Sequence, residues 1–339
     1  MKKVNLLIMA GVLSVAMMGC ISVEEAKGML ESSEAAQDDR EVAESADNSA
    51  DQNGEKDSEG SELFEAFLAG SGTLSFDYYK NNIFVEQELL FYEDEMVKNC
   101  FSGKEYTLRD MKDSLNKYYE DGVGTFEYAY IDCGADGEKE MALRIQGPFV
   151  EPGSSMTFVI KEMNSQLQVV YAYAGWSRSS TDINEYGYIT GGGSNGATNH
   201  GYFVQYINAD GRCDYGYYEE EESDIEQFEM SFKREGNETP EYKGHLCFYT
   251  LRMEPYDENS TNEEYYSYAV YDSETFEEMN VPGLYTDSPY KTIADSFKDI
   301  KFITMDELKQ KEEEKLEKIG VTEQIKNGEI PEYTEVKIK

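Results

Sequence analysis

The fold is constrained most by a series of short segments, rich in aromatic and β-branched residues, that follow one another with little more than turns between them. This composition is typical of β-strands. The segments lie at residues 125–132, 138–145, 155–163, 166–176, 201–208, 213–220, 228–235 and 244–253. Because consecutive strands with no helix between them pair directly, and because Asn208–Gly211 has the composition of a hairpin turn, antiparallel pairing is favoured over β–α–β units.

Helical patterns lie on both sides of this series. They occupy residues 61–70, 107–119, 288–299 and 304–319. Thr107 with Asp110, and Thr304 with Glu307, have the spacing of a capping box at the start of a helix. The predicted fold class is therefore α+β, with a predominantly antiparallel β-sheet, a few flanking helices and a C-terminal helix.

The C-terminal helix has a sparse apolar stripe. It consists of Met305, Leu308, Leu316 and Ile319, with Glu312 in the middle. A stripe this thin fits a helix that is mostly solvated and docks near its ends. The alternative is a helix that binds a partner.

The N-terminus has the parts of an export signal. Two lysines precede an apolar run from Val4 to Met18, which is shorter than the roughly 20 residues that a membrane-spanning helix needs. Gly19 and Cys20 follow this run. Together they resemble the lipobox of bacterial lipoproteins, although that family usually has leucine where Met17 stands and a small residue in place of Met18.

The lipoprotein resemblance implies cleavage before Cys20 and attachment of a diacylglycerol to its thiol. The protein would then be anchored to the extracytoplasmic face of the cell membrane, with membrane lipid as its partner. Two acyl chains are enough for stable attachment, whereas a single chain is not. A plain secretory signal with a chance cysteine is the alternative.

The composition changes after this signal. Between Ile21 and Glu62 there are 14 acidic residues, three basic residues and no aromatic residue. Such a segment buries too little apolar surface to offset the entropy lost on ordering, so disorder is expected. The predicted organisation is a signal peptide at 1–19, a disordered acidic tether at 20–61, a β-rich α+β domain at 62–303, and a C-terminal helix and tail at 304–339.

The charge balance narrows the choice of partners. The 339 residues include 69 acidic and 30 basic side chains, a formal net charge of −39. A polyanion of this size repels nucleic-acid phosphate and acidic lipid surfaces, so no nucleic-acid partner is expected.

The acidic loop at 132–140 carries a candidate cation site. Carboxylates at alternating positions before a glycine are the pattern of a calcium loop, which makes Asp132, Asp136 and Glu140 candidate Ca²⁺ ligands. Gly134 stands where a further ligand is usual, and the twelfth position is apolar, so the EF-hand form fails.

The same loop resembles the strand–DxDxDG–strand units of FG-GAP and VCBS-type extracellular repeats. The resemblance covers about fifteen residues and implies an extracellular β module, with a cation only if another group replaces the missing ligand. The alternative is a hairpin in which Asp132 and Asp136 accept hydrogen bonds from backbone amides and Gly137 adopts a positive φ.

Residues 192–196 satisfy the G-x-S-x-G pattern of a hydrolase nucleophile elbow, with Ser194 as the nucleophile. That elbow needs a strand before it and a helix after it. The residues that follow alternate like a strand, and His200 and His245 are the only histidines that could act as the base. A flexible glycine loop between strands is therefore expected, and no catalytic residue is assigned.

Tyrosine is unusually frequent, with 27 residues in the chain. Several alternate along the predicted strands, namely Tyr128 and Tyr130, Tyr171 and Tyr173, and Tyr215 and Tyr217. Tyrosine rows beside Trp176 can stack on sugar rings while Asp and Asn bind the hydroxyls, which makes a cell-wall or extracellular polysaccharide a candidate partner. The alternative is half-buried packing within the sheet.

Four cysteines remain after Cys20, namely Cys100, Cys133, Cys213 and Cys247. They have no C-x-x-C spacing, which argues against a zinc ribbon or a thioredoxin-like site. Two disulfides are possible in an exported chain, whereas their apolar neighbours favour buried thiols.

The expected function is that of a lipid-anchored cell-surface protein with a non-catalytic binding or structural role. The alternative is a cell-envelope hydrolase that acts on wall glycan or peptide. The substrate-binding lipoprotein of a transporter would need two lobes with parallel sheets, and the adjacent strands argue against it. Apart from the candidate Ca²⁺, no cofactor is expected.

Overall fold

The computed structural model describes residues 61–86, 91–236, 239–255 and 263–338, which belong to one compact unit. Two β-sheets form its framework, and their neighbouring strands pair antiparallel with one exception. The predicted α+β class is therefore confirmed. The predictions for the signal peptide, Cys20 and most of the acidic tether lie outside the described residues.

The two sheets are formed by different parts of the chain. The first sheet comprises β1 (Leu74–Ser75), β2 (Glu105–Tyr106), β3 (Phe126–Ile131), β4 (Glu140–Gly147), β5 (Ser154–Met163), β6 (Gln166–Gly175) and β13 (Thr334–Glu335). Its spatial order is β13-β3-β4-β5-β6-β1-β2, and the pair β1–β6 is the parallel one. The second sheet comprises β7 (Ser179–Ile183), β8 (Tyr188–Ser194), β9 (Asn199–Ile207), β10 (Cys213–Glu222), β11 (His245–Arg252) and β12 (Glu264–Tyr271). Its order is β12-β11-β10-β9-β8-β7.

The helices flank these sheets. They are α1 (Glu62–Leu68), α2 (Asp77–Glu86), α3 (Phe91–Cys100), α4 (Leu108–Tyr118), α5 (Ile225–Ser231), α6 (Pro289–Ala294), α7 (Met305–Lys318) and α8 (Glu323–Lys326). Both predicted capping boxes are present, at the start of α4 and at the start of α7. The helices predicted at 61–70, 107–119 and 304–319 are confirmed, whereas the one predicted at 288–299 is shorter.

The first sheet is covered on both faces. Alternate residues of a strand point to opposite faces, so each strand contributes to two cores. On the helical side, the ring of Phe158 in β5 lies 5.5 Å from that of Phe76 and 6.0 Å from that of Phe101. On the other side, the hydroxyl of Tyr171 in β6 donates to the side-chain oxygen of Gln205 in β9. The second sheet therefore packs against the face of the first sheet that the helices do not cover.

The second sheet has its own helices. Leu308 and Leu316 of α7 are buried in a cluster with Leu251 of β11 on one face. On the other face, Phe228 of α5 stacks on Phe248 of β11, with ring centroids 4.2 Å apart. None of the helices in the described ranges is both long and apolar enough to cross a membrane.

Two sequence-based expectations are wrong. The strand predicted at 228–235 begins instead as α5, because the Asp224 carboxylate accepts from the N–H groups of Glu226 and Gln227 and caps a helix that buries Phe228. The glycine loop predicted at 192–196 is strand β8 as far as Ser194. Gly191 earlier in β8 shows why glycines suit this strand, since a Cβ there would lie 2.3 Å from the ring of its cross-strand partner Phe203.

Helix α7 uses its apolar stripe within the protein. Glu312 lies one turn from both Leu308 and Leu316, so it faces the second sheet and hydrogen-bonds with Glu219 of β10. Burial, together with the charge of Glu219, raises the pKa of Glu312 to about 8. Two carboxyl groups can hydrogen-bond with each other only when one of them is protonated. Helix α7 therefore packs on the second sheet with one proton shared by Glu312 and Glu219.

The shared proton predicts a pH dependence of stability. The pKa of Glu312 is raised in the folded state, so its contribution is complete below its ordinary value of 4.5 and is lost as pH rises through about 8. Glu312→Gln keeps a donor to Glu219 but does not titrate. We therefore expect the melting temperature to fall less between pH 5 and pH 9 in this variant than in the unmodified protein.

The measurement is thermal unfolding followed by circular dichroism across that pH range. Glu317→Gln is the matched control, because Glu317 is exposed on the same helix and should leave the pH profile unchanged. Parallel pH profiles for Glu312→Gln and the unmodified protein would contradict the shared proton.

Candidate functional site

The acidic loop between β3 and β4 is folded as a tight turn. The Asp132 carboxylate accepts from the N–H of Gly137 at 3.0 Å, and the Asp136 carboxylate accepts from the N–H of Glu138 at 2.8 Å. Gly137 has a φ of +89°. Both acids therefore serve the turn through hydrogen bonds to backbone amides.

Glu140 has a different environment from the two aspartates. Its side chain is completely buried, accepts from the N–H of Cys133 at 2.7 Å and forms an ion pair with Lys161 of β5. Burial lowers the pKa of Lys161, but the hydrogen bond with Glu140 and the charge of that carboxylate outweigh it, so this pKa lies above its ordinary value. Glu140 thus neutralises a buried cation of the chain itself.

These contacts bear on the candidate calcium site. Among the described residues, no three His, Cys, Asp or Glu side chains are grouped so that they could hold a metal ion. In this arrangement Asp132 and Asp136 accept from backbone amides, and Glu140 pairs with Lys161. The calcium site stays a prediction, and no function is derived from it.

The loop joins the two sheets. The N–H of Asp132 donates to the carbonyl oxygen of Glu185 at 2.7 Å, and the N–H of Gly134 donates to that of Tyr186 at 3.1 Å. Both acceptors lie in the turn between β7 and β8. Gly134 also lies against the β9–β10 turn, where a Cβ would be 2.7 Å from the backbone nitrogen of Ala209. This loop, residues 132–137, is called the inter-sheet joint below.

The cysteines are thiols. Cys100, Cys133, Cys213 and Cys247 are all free, so neither of the two possible disulfides forms among the described residues. Cys133 lies within the inter-sheet joint and is completely buried, which raises the pKa of its thiol. A buried thiol of raised pKa is a packing group rather than a nucleophile.

The structure does not form a nucleophile elbow at Ser194. Strand β8 ends at this residue and is followed by β9, where a helix would be required. His200 is the direct cross-strand neighbour of Ser194. The Ser194 hydroxyl, however, donates to the carbonyl oxygen of Gly196 at 2.6 Å.

A cleft of about 400 Å³ lies where the first sheet meets the edge strand β7 of the second. Its size is within the range of small-molecule sites. The floor of the cleft is a row of side chains that the strand register brings side by side. The row crosses β3, β4, β5 and β6 and consists of Glu127, Arg144, Thr157 and Tyr173. The last three of these side chains line the cleft.

Trp176 stands at one wall of the cleft in a tight turn. The turn joins β6 to β7, and Trp176 and Ser179 exchange two backbone hydrogen bonds of 3.1 Å. The N–H of Ser177 also donates to the Glu151 carboxylate at 2.7 Å, which ties this turn to the β4–β5 connection. The indole is half-buried, so one part of it is fixed by the protein while another part faces the cleft.

Tyr333, which comes from the C-terminal segment, forms another wall of the cleft. Its ring lies 3.8 Å from the guanidinium carbon of Arg144, and its hydroxyl hydrogen-bonds with that of Tyr173. The Arg144 guanidinium is also held by Glu127, with both contacts at 3.1 Å. Burial raises the pKa of Tyr173 and Tyr333, so both phenols stay neutral at ordinary pH.

Sequence reasoning identified part of this cleft. It singled out Trp176 and Tyr173, and the structure brings these two together. It missed Arg144, Asp182 and Tyr333. The hydroxyl-rich run that follows Trp176, residues 177–182, was a readable signal, since such a strand can line a polar cleft. Nothing in the sequence pattern places Tyr333 beside a strand far earlier in the chain.

Four other tyrosines of the predicted rows pack within the protein. Tyr171 contacts Gln205 between the sheets. Tyr128 and Tyr130 form a ring pair with centroids 5.5 Å apart, and Tyr217 is buried in the core beneath α7. Half-buried packing therefore accounts for Tyr128 and Tyr130, whereas Tyr171 and Tyr217 are buried.

Comparisons with protein-family models, with curated proteins and with solved structures found no match. The cleft itself has three features that bear on function, namely a fixed floor, a half-buried indole and a polar lining.

The inter-sheet joint predicts different costs at two of its glycines. Gly134 and Gly137 have nearly the same φ, +91° and +89°, but a Cβ on Gly137 would meet nothing within 4 Å. Gly137→Ala should therefore cost about 1–2 kcal/mol of unfolding free energy from backbone strain alone. Gly134→Ala should cost a further ~1–3 kcal/mol, because its methyl group collides with Ala209. Urea unfolding measures both, and equal losses would contradict a close contact at Gly134.

Proposed function

We propose that this chain is a lipid-anchored cell-surface protein whose folded domain binds a ligand without catalysis. Membrane lipid is its partner through an acylated Cys20, which places the domain on the extracytoplasmic face of the cell membrane. The lipobox-like sequence at Met17–Cys20 supports the anchor. The cleft beside Trp176 supports ligand binding.

The observation that carries the binding proposal is the preformed state of the cleft. Trp176 lies in a turn closed by paired backbone hydrogen bonds, and its half-buried side chain packs against the core of the first sheet. The Arg144 guanidinium is held by Glu127 and Tyr333. A site whose side chains are already fixed loses little conformational entropy when a ligand binds. Such a site is suited to recognition.

The carboxyl groups of the cleft favour binding over hydrolysis. A glycosidase needs one carboxylic acid with a raised pKa as proton donor and a second carboxylate across the bond. The hydrogen bonds from Ser177 instead lower the pKa of Glu151. Asp182 has an exposed side chain and therefore does not lie in an apolar environment. A hydrolase would turn over labelled wall fragments and lose that turnover on substitution of one of these acids.

The anchor is tested by Cys20→Ser. We expect the unmodified chain to partition with membranes and to enter the detergent phase on Triton X-114 separation, because two acyl chains hold it there. The variant should move to the soluble fraction. Cys133→Ser is the control, because it removes a thiol of the folded domain without touching the anchor. Unchanged membrane partition of Cys20→Ser would contradict lipid attachment.

The binding site is tested by Trp176→Ala. With the full chain in detergent, we expect saturable binding to a purified, protein-free envelope fraction. The variant should bind this fraction at least about tenfold more weakly than the unmodified chain, because buried indole contacts dominate recognition energies. Tyr118→Ala is the control, since Tyr118 is an exposed aromatic residue of α4 outside the cleft. Equal binding by the two variants, with unchanged melting temperatures, would contradict the cleft as the site.

A further inference from the structure

We propose that the ligand of this cleft is a neutral glycan, with one sugar ring stacked on Trp176 and its hydroxyls bound by the serine and threonine side chains around it. This inference rests on the proposed binding function and adds the chemical class of the ligand. Three properties of the cleft carry it, namely its aromatic walls, its hydroxyl groups and its pairing of charges.

The aromatic walls provide an apolar surface of the right kind. A sugar ring has C–H groups on its faces and hydroxyls around its edge, so it packs against a flat aromatic face while its edge is bound by polar groups. Trp176 and Tyr333 both line the cleft and are half-buried. Tyr173 lies on the floor with its hydroxyl directed to Thr157 and Tyr333.

The polar lining consists mostly of hydroxyl groups. They belong to Ser155, Thr157, Ser177, Ser179, Ser180 and Thr181. A hydroxyl group both donates and accepts, which matches the dual character of sugar hydroxyls better than a lining of amides or cations does. Asp182 adds an exposed carboxylate acceptor on the same edge strand, suited to two neighbouring sugar hydroxyls.

The charges of the cleft argue against an anionic ligand. Arg144 is the cation among the residues that line it, and its guanidinium is already engaged by the Glu127 carboxylate and the Tyr333 ring. Glu151 and Asp182 are acidic, and the whole chain carries a formal charge of −39. Arg178, in the turn beside Trp176, lies outside the lining and interacts with the charge of Glu151. Uronates, phosphates and teichoic-type polymers would therefore meet the repulsion of the two acids, while the nearby cations already face acidic partners.

A cationic ligand is less well matched than a neutral one. Recognition of an ammonium group uses several aromatic faces around the cation. Here Tyr173 is buried in the floor, and Arg144 already occupies the face of Tyr333. The indole of Trp176 is then the main aromatic surface left for the ligand, which suits one sugar ring.

The sequence itself supplies the reporter for the test. Trp176 is the single tryptophan of the chain, so tryptophan emission reports on this cleft. The experiment titrates the full chain in detergent with three sets of probes. They are neutral oligosaccharides of glucose, mannose and N-acetylglucosamine; oligogalacturonate as the anionic probe; and choline as the cationic probe. A saturable shift in emission with a neutral probe and no shift with the other two is expected.

Asp182→Asn keeps the reporter and removes one charged acceptor. We expect it to weaken the binding of the responding glycan by about tenfold or more, because hydrogen bonds to charged groups are the stronger ones. Asp299→Asn is the matched control, an exposed acid outside the cleft that should leave the affinity unchanged.

The outcomes separate this inference from the function on which it rests. Emission shifts caused by oligogalacturonate or choline, or envelope binding that depends on Trp176 but survives periodate oxidation of the glycans, would overturn the glycan assignment and leave the binding function standing. Envelope binding that does not depend on Trp176 would overturn both.

Discussion

The arrangement of the two sheets depends on one buried ion pair and the loop above it. Glu140 and Lys161 are both buried and neutralise each other, and Cys133 adds a backbone hydrogen bond to the same carboxylate. Removing one partner of such a pair typically costs about 3–5 kcal/mol, because the other charge is left in a low-dielectric interior. Lys161 also lies beneath the β9–β10 turn, where its chain would be 3.1 Å from a Cβ on Gly211. The pair therefore fixes β4 and β5 of the first sheet against a turn of the second.

The cleft exists because of that arrangement. Its floor belongs to the first sheet and its hydroxyl-rich edge to β7 of the second sheet, so any change in the angle between the sheets would change its width. The inter-sheet joint contacts the turn that follows β7, and the Trp176–Ser179 turn precedes β7, so the sheets are connected at both ends of this edge strand. The rigidity of the cleft comes from the way the two sheets are fastened together. The inter-sheet joint contributes to it without lining the cleft, whereas Trp176 and Ser179 do both.

Local signals predicted much of the fold. The capping boxes at Thr107 and Thr304 and most of the aromatic strands are encoded by neighbours within a few residues, and the structure has them. The helix at Ile225–Ser231 was mistaken for a strand because its aromatic residues fit either period, and only the Asp224 cap decides between them.

The candidate site was less predictable than the fold. Trp176 and Tyr173 could be selected by residue type, but their neighbours depend on register and on contacts between distant segments. Arg144 looks like any charged residue on a strand until Glu127 and Tyr333 are placed beside it. In the acidic loop, the residue pattern was conspicuous but ambiguous. The same carboxylates that would bind a cation can also accept hydrogen bonds from the backbone amides of a tight turn, as Asp132 and Asp136 do here.

The pairing of β13 with β3 has a consequence for the order of assembly. Thr334 is the partner of Tyr128, although roughly two hundred residues separate them, and contacts that close so long a loop form late because their entropy cost is large. The wall that carries Tyr333 is thus among the last parts to settle. The two sheets can be largely assembled while the cleft still lacks this wall, so the cleft is complete only once the C-terminal segment has docked.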